Sequence, residues 1–330
     1  MVDVILKMAQ VYVSSTSFMN GCPDALKALK DKGYSIKSNP TGKPMEGKAL
    51  REALCGCEGV IAGLDRYDEG TIRACTGLKA ISRYGVGVDN VDLKAATDSG
   101  IVVTLTPGAN TEAVADLAFA LMMAAARNLT RADALMREGS WPKMLGSSVW
   151  GKTVGVLGTG AIGRAFAGRL AGFKARLLLF DVNCDEDFAK SVGGEYVSFD
   201  RLLSESDFLS VHVPLNAATR GLIGKREISM MKPTSYIINT ARGGIVDEEA
   251  LADALEEGAL AGAGIDVFVH EPPVGSRIAQ SEKVVMTPHM GSYTREAVAM
   301  MGTMAAENLI DALEGRRPKY VANPEVYSKI

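Results

Sequence analysis

Short apolar runs alternate with amphipathic stretches through the first hundred residues. Val11–Ser15, Tyr34–Ser38, Val60–Ala62, Lys79–Arg83 and Ile101–Leu105 read as strands. Asp24–Lys32, Glu69–Cys75 and Asp92–Ser99 read as helices, and Gly33 and Gly100 are placed to stop two of them. Alternation of this kind predicts βαβ units, with a parallel sheet covered on both faces. Pro107-Gly108 then marks a border. From Thr111 to about Glu138 a long helical segment carries apolar residues on most faces, which predicts burial between layers or at a subunit contact. A second series follows Trp141-Pro142, with strands Thr153–Leu157, Arg176–Phe180, Phe208–Val213, Ser235–Asn239, Ala263–Val267 and Val284–Met286. Its helices are expected near Ile162–Phe173, Asp185–Val192, Asp200–Ser206 and Asp247–Glu257. An amphipathic helix, about Thr294–Glu314, precedes a tail rich in proline and arginine.

Length and composition narrow this picture. A chain of 330 residues exceeds what one core usually holds, so two domains are expected. Apolar residues make up 47% and charged ones 23%, the balance of a globular protein rather than a disordered or fibrous one. The net charge of −3 gives no basic surface for a nucleic acid. Lys7 and Gln10 interrupt the first apolar run, so no secretory leader is read there, and Met8 is an alternative start. The apolar stretch Leu117–Ala126 falls well short of the ~20 residues that span a bilayer, so no membrane partner is expected. Cys22, Cys55, Cys57, Cys75 and Cys184 form no C-x-x-C pair. They read as buried thiols in a reducing, cytoplasmic compartment, with no disulfide and no metal site.

The first chemical signal is Gly158-Thr159-Gly160-Ala161-Ile162-Gly163, after a strand and opening a helix. Gly158 allows the tight turn, Gly160 the approach of a pyrophosphate, and Gly163 close packing of helix and strand. The next strand ends in Asp181, 21 residues beyond Gly160, the spacing of a carboxylate that accepts from ribose hydroxyls. Such an acid favours NAD over NADP, and Val182-Asn183-Cys184-Asp185 offers no arginine for a 2′-phosphate.

A dinucleotide loop names no reaction, so acids and bases come next. Of the histidines, His212 lies in a strand and reads as core or cofactor-lining, and His270 opens a loop. His289 follows the last strand of the second series and precedes Gly291, at a carboxyl end where open α/β sheets bind ligands. Arg242 follows another strand in Thr240-Ala-Arg-Gly-Gly244, and Asp266 and Glu271 follow the next. Arg242, Glu271 and His289 are therefore expected to converge beside a nicotinamide.

Taken in order, these segments resemble the D-isomer-specific 2-hydroxyacid dehydrogenases, particularly the phosphoglycerate dehydrogenase branch. Arg83–Asn90, Asn110–Asp116, Gly158–Gly163, His212–Leu215, Asn239–Gly244, Gly264–Phe268, Glu271-Pro272 and Thr287–Gly291 carry the resemblance. It implies an α/β fold of two doubly wound parallel-sheet domains. A Rossmann NAD-binding domain, 106–296, would be inserted into a flavodoxin-like substrate domain, 1–105 with 297–330. It implies a homodimer with contacts on the helix after Thr111.

The resemblance also assigns roles. His289 would protonate the carbonyl of a 2-oxo acid as NADH delivers hydride, and Glu271 would hold the imidazole. Arg242 would pair with the substrate carboxylate, with backbone N–H groups of Val86 and Gly87 on its other side. Gly158, Gly160, Ala161, Ile162, Gly163 and Asp181 would bind the dinucleotide. Val213, Pro214, Thr240 and Gly291 would line it, and Asp266 would bind the carboxamide. The substrate expected first is 3-phosphoglycerate with its 2-oxo partner. Gly63-Leu-Asp-Arg-Tyr67 departs from that, having an acid where a base would receive the phosphate, with Arg66 as the residue that could still serve or simply be an exposed loop arginine. Glyoxylate, hydroxypyruvate or D-lactate chemistry is the alternative, and an NADH-sensing scaffold without activity a more distant one. Glu271 argues against formate dehydrogenases, whose histidine usually pairs with glutamine, while phosphite dehydrogenases keep the pair. The chain end near residue 330 leaves no room for regulatory domains.

Overall fold

The computed structural model describes residues 9–329, so the readings at Lys7 and Met8 lie outside the described residues. The chain forms two compact units. The first runs to Asn110 and resumes at Tyr293, and the second is Thr111–Ser292.

In the first unit, β1 (Gln10–Val13), β2 (Ser35–Ser38), β3 (Gly59–Ala62), β4 (Ala80–Arg83) and β5 (Val102–Thr104) pair in parallel in the order β2-β1-β3-β4-β5. The two-residue period of a strand divides each apolar run between two faces. Tyr12, Val60, Ala62, Ile81 and Val103 pack with Leu50, Leu54, Ile72 and Ala96. Val11, Val13, Ile61 and Val102 meet Leu29 and, from the helix Arg295–Leu313, Val298, Ala305 and Leu309. The 2-1-3-4-5 order is the flavodoxin-like one.

The second unit has seven parallel strands: β6 (Thr153–Leu157), β7 (Arg176–Phe180), β8 (Gly194–Tyr196), β9 (Phe208–Val211), β10 (Tyr236–Asn239), β11 (Gly262–Ile265) and β12 (Val284–Met286). Their order, β12-β11-β10-β9-β6-β7-β8, is the dinucleotide-binding order with one strand added. Val154, Val156, Leu177, Leu179 and Ile238 face the helices Thr111–Ala126 and Ala161–Arg169. Leu157, Leu178, Leu209, Val211 and Ile237 face Phe199–Glu205 and Glu248–Glu256.

Several expectations need correction. The segment from Thr111 is two helices, Thr111–Ala126 and Leu129–Arg137, bent by 65° where Asn128 adopts φ +51°. The first has a buried face, whereas the second buries no residue. The helix expected to run to Phe173 stops at Arg169, followed by a 3₁₀ turn over Ala171–Phe173. β9 ends at Val211, so His212 lies just past the strand. Cys22, Cys57 and Cys75 are buried, but Cys55 and Cys184 are exposed, and all five thiols are free. Among the described residues no single helix is long and apolar enough to cross a membrane.

Candidate active site

The glycine loop after β6 is built by close approach. Gly158 has φ +96°, and a Cβ there would lie 2.8 Å from the His212 carbonyl carbon. A Cβ on Gly163 would lie 1.9 Å from the Gly158 oxygen, so only glycine lets the helix Ala161–Arg169 start against the strand. Gly160 faces open space within 4 Å, directly before the helix N–H groups of Ala161 and Ile162. Asp181, one residue beyond β7, accepts from Thr159 N at 2.7 Å and Thr159 Oγ1 at 3.3 Å, and from Asn183 N at 3.0 Å. Oδ1, with one donor, keeps a lone pair for a ribose hydroxyl. Thr240, just past β10, is buried, and its hydroxyl has no partner among the described residues. An open glycine corner, an acid beyond the next strand and an orphaned hydroxyl at the same edge of the sheet fit a dinucleotide. Val213 and Pro214 follow β9 on that edge.

His212 closes the floor of this loop. Its Nε2 lies 2.8 Å from Ser210 Oγ, and its ring is 5.1 Å from that of Phe166. Burial pulls the imidazole down to about 3, so it is neutral.

A different corner holds the second histidine. His289, in the loop after β12, adopts φ +50°, a conformation rare outside glycine. Its N–H donates to the carbonyls of Asp266 (2.9 Å) and Thr287 (3.1 Å). The Asp266 side chain fixes the rest of the turn. Its Oδ1 accepts from Thr287 Oγ1 (2.6 Å) and Met290 N (2.9 Å), and its Oδ2 accepts from Gly291 N (2.9 Å). Asp266 is 1% exposed, and burial raises its pKa against the pull of those hydrogen bonds. The Asp266 carboxylate thus shapes the histidine loop, and Oδ2, with a single donor, keeps a lone pair for the carboxamide role expected of it.

His289 Nδ1 lies 2.8 Å from Glu271 Oε2 and 3.0 Å from Oε1. Glu271 is held in turn, its Oε1 accepting from Phe268 N at 3.1 Å. The adjacent Val269 N donates to Glu248 Oε1 at 2.6 Å, which anchors the loop to the helix Glu248–Glu256. Burial raises the Glu248 carboxyl. A Cβ on Gly243 would lie 2.0 Å from the Phe268 carbonyl carbon, so the loop carrying Arg242 packs directly on the one leading to Glu271. Asn239 Nδ2 donates to the Arg242 carbonyl (2.9 Å), and Arg242 Nη1 donates to the Ala241 carbonyl (2.7 Å). Glu271 and His289 are thus in contact, and the Arg242 loop packs through Gly243 on the Phe268–Val269 backbone that leads to Glu271.

In the first unit the loop holding Val86 and Gly87 is tied to the carboxyl ends of β3 and β4. Buried Arg83 donates through Nε to the Gly87 carbonyl (2.9 Å) and through Nη1 to the carbonyls of Ala62 (2.6 Å) and Gly63. Asn90 Nδ2 donates to the Asp65 carbonyl at 2.6 Å. Asp65 is buried and accepts from Met45 N at 2.8 Å, while Leu64 is 49% exposed.

Comparison with known proteins gives the family. Residues 119–291 match the family model described as D-isomer specific 2-hydroxyacid dehydrogenase, NAD binding domain. The chain belongs to the D-isomer specific 2-hydroxyacid dehydrogenase family. It is 44% identical to a glyoxylate reductase of Korarchaeum cryptofilum, over 86% of this chain and 88% of that enzyme. It is 42% identical to a D-3-phosphoglycerate dehydrogenase of Archaeoglobus fulgidus, over 88% of this chain and 56% of that one. Among solved structures, a glyoxylate reductase from Paecilomyes thermophila superposes with a TM-score of 0.83 at 32% identity, covering 96% of this chain and 99% of that one. As a member of this family the chain is an NAD-dependent oxidoreductase acting on CH–OH donors. Sequence reasoning missed Glu248 and Arg164, which donates to the Thr159 carbonyl. Both read as helix surface charges, and only the fold shows what they touch.

Proposed function

We propose that the protein reduces a small 2-oxo acid of the glyoxylate or hydroxypyruvate type, and that Glu271 and His289 deliver the proton. The 2.8 Å contact between Nδ1 and the Glu271 carboxylate carries this reading, because it orients the ring and leaves Nε2 to face substrate. NADH supplies the hydride when bound. His289 Nε2 gives its proton to the carbonyl oxygen, and Glu271 holds the ring in place through Nδ1. Arg242 pairs with the substrate carboxylate, as its planar fork suits. Gly158, Gly160, Ala161, Ile162 and Gly163 hold the pyrophosphate and Asp181 the ribose. Val213, Pro214, Thr240 and Gly291 line the nicotinamide end, where Asp266 acts through the turn it shapes.

The relatives named glyoxylate reductase favour this substrate over the phosphoglycerate expected from the sequence. The loop after β3 turns Asp65 inward but presents Arg66 outward as well as Leu64, so the choice of substrate rests on the relatives and not on this loop. Exposed Leu129, Met136, Trp141 and Leu145, on and after a helix that buries no residue, support a homodimer contact there. Five free thiols suit a cytoplasmic setting.

The test is kcat/KM with NADH across glyoxylate, hydroxypyruvate, pyruvate and 3-phosphohydroxypyruvate. Glyoxylate or hydroxypyruvate should exceed the phosphorylated acid by about tenfold or more, the scale of a pocket lacking a buried charge partner. A preference for the phosphorylated acid would restore the phosphoglycerate reading.

A further inference from the structure

The carboxyl end of β7 carries a guanidinium that the residues after Asp181 do not supply. Arg164, on the helix Ala161–Arg169, donates from Nε to the Thr159 carbonyl at 2.9 Å and from Nη1 to Asp185 Oδ2 at 2.8 Å. Its guanidinium also lies 4.5 Å above the Phe188 ring. Thr159 is shared, because its own N–H donates to Asp181 Oδ2 at 2.7 Å. Asp181 and Arg164 therefore grip the N–H and the C=O of one residue in the glycine loop, and a ribose held by Asp181 lies beside the residue that this cation also holds. A 2′-phosphate on that ribose is an anion to which a free arginine would make charge-assisted hydrogen bonds.

Asp185 occupies that arginine. It also caps the helix Glu186–Val192, accepting from Phe188 N at 3.0 Å, which fixes its carboxylate against Arg164. The cap and Arg164 together hold its carboxyl below the usual range. The pair is part-exposed, with side-chain exposures of 39% and 41%, so Arg164 has room to turn toward a ligand.

We propose that Asp185 is a second cofactor-specificity residue, which withholds Arg164 from the 2′-phosphate of NADP and so reinforces the exclusion begun by Asp181. The proposal rests on the ribose role given to Asp181 above. As a plain surface ion pair, the contact would have no bearing on the dinucleotide.

The experiment measures the ratio of NADPH to NADH dissociation constants by nicotinamide fluorescence at fixed ionic strength, in the absence of substrate. Asp185→Asn keeps the helix cap while removing the charge. It should lower the ratio about fivefold, and Asp181→Ala about tenfold or more. Adding Arg164→Gln to Asp185→Asn should return the ratio to its original value. An unchanged ratio in Asp185→Asn, or a gain that survives Arg164→Gln, overturns the proposal. If Asp181→Ala alone leaves the ratio unchanged, the ribose reading fails as well, so the two failures are distinguishable.

Discussion

His289 and His212 both stand just beyond strands of the same sheet, yet their surroundings give them opposite characters. His212 is closed in by the glycine loop and Phe166, and its Nδ1 has no partner among the described residues. Burial there costs the charged form heavily and leaves a neutral ring suited to packing. His289 keeps a quarter of its side-chain surface, has a carboxylate against Nδ1, and sits in a left-handed turn fixed by Asp266. Position at a strand end is thus insufficient for proton transfer. The ring also needs an anionic partner and access to the reacting atom.

The largest expected effect is at His289. His289→Ala should lose about 10²–10⁴ in kcat for 2-oxo acid reduction. The same substitution should leave NADH bound, read by fluorescence, and retained turnover would remove this ring from the chemistry. A smaller loss tests the support beneath Glu271. Glu248→Ala frees Val269 N and should cost about tenfold in kcat. Glu248→Gln keeps an acceptor and should recover most of it. If Glu248→Ala lowers only the melting temperature, the loop needs no such anchor.

The smallest effect concerns His212 and appears in stability. Its folded pKa, about 3, lies below the ordinary 6.5. The unfolded chain therefore binds a proton as pH falls below about 6.5 while the folded one does not, and stability is lost across that window. At pH 5 the cost is about 2 kcal/mol. His212→Gln should flatten the fall in melting temperature between pH 7 and pH 5. Parallel curves for the two proteins would show that the ring is protonated within the fold.

The sheets were legible because buried parallel strands are short apolar runs, and most of the twelve strands announce themselves that way; β2, Ser35–Ser38, is largely polar and was placed by the alternation around it. β8, Gly194–Tyr196, does not announce itself, since it is a half-exposed edge strand of three residues with one charge. The helix Gly47–Leu54 was missed for a related reason, as its N-cap, Glu46, makes no side-chain capping bond. The break at Asn128 carries neither glycine nor proline to mark it. In the site, Glu271 and His289 were legible because each follows a strand with a turn residue beside it. Glu248 and Arg164 were not, because a charge early in a helix usually serves the dipole or solvent. Asp266 was singled out, but the three loop hydrogen bonds that its carboxylate makes depend on a rotamer that spacing does not specify.

The claim beneath all of this is that Glu271 acts through His289 and not beside it. A double-mutant cycle on kcat, using Glu271→Ala, His289→Ala and both together, measures that directly. If the two form one proton-delivering unit, the double variant should be within about twofold of His289→Ala alone. Losses that multiply would mean that the carboxylate and the imidazole contribute independently, and the pair described here would not be the source of the proton.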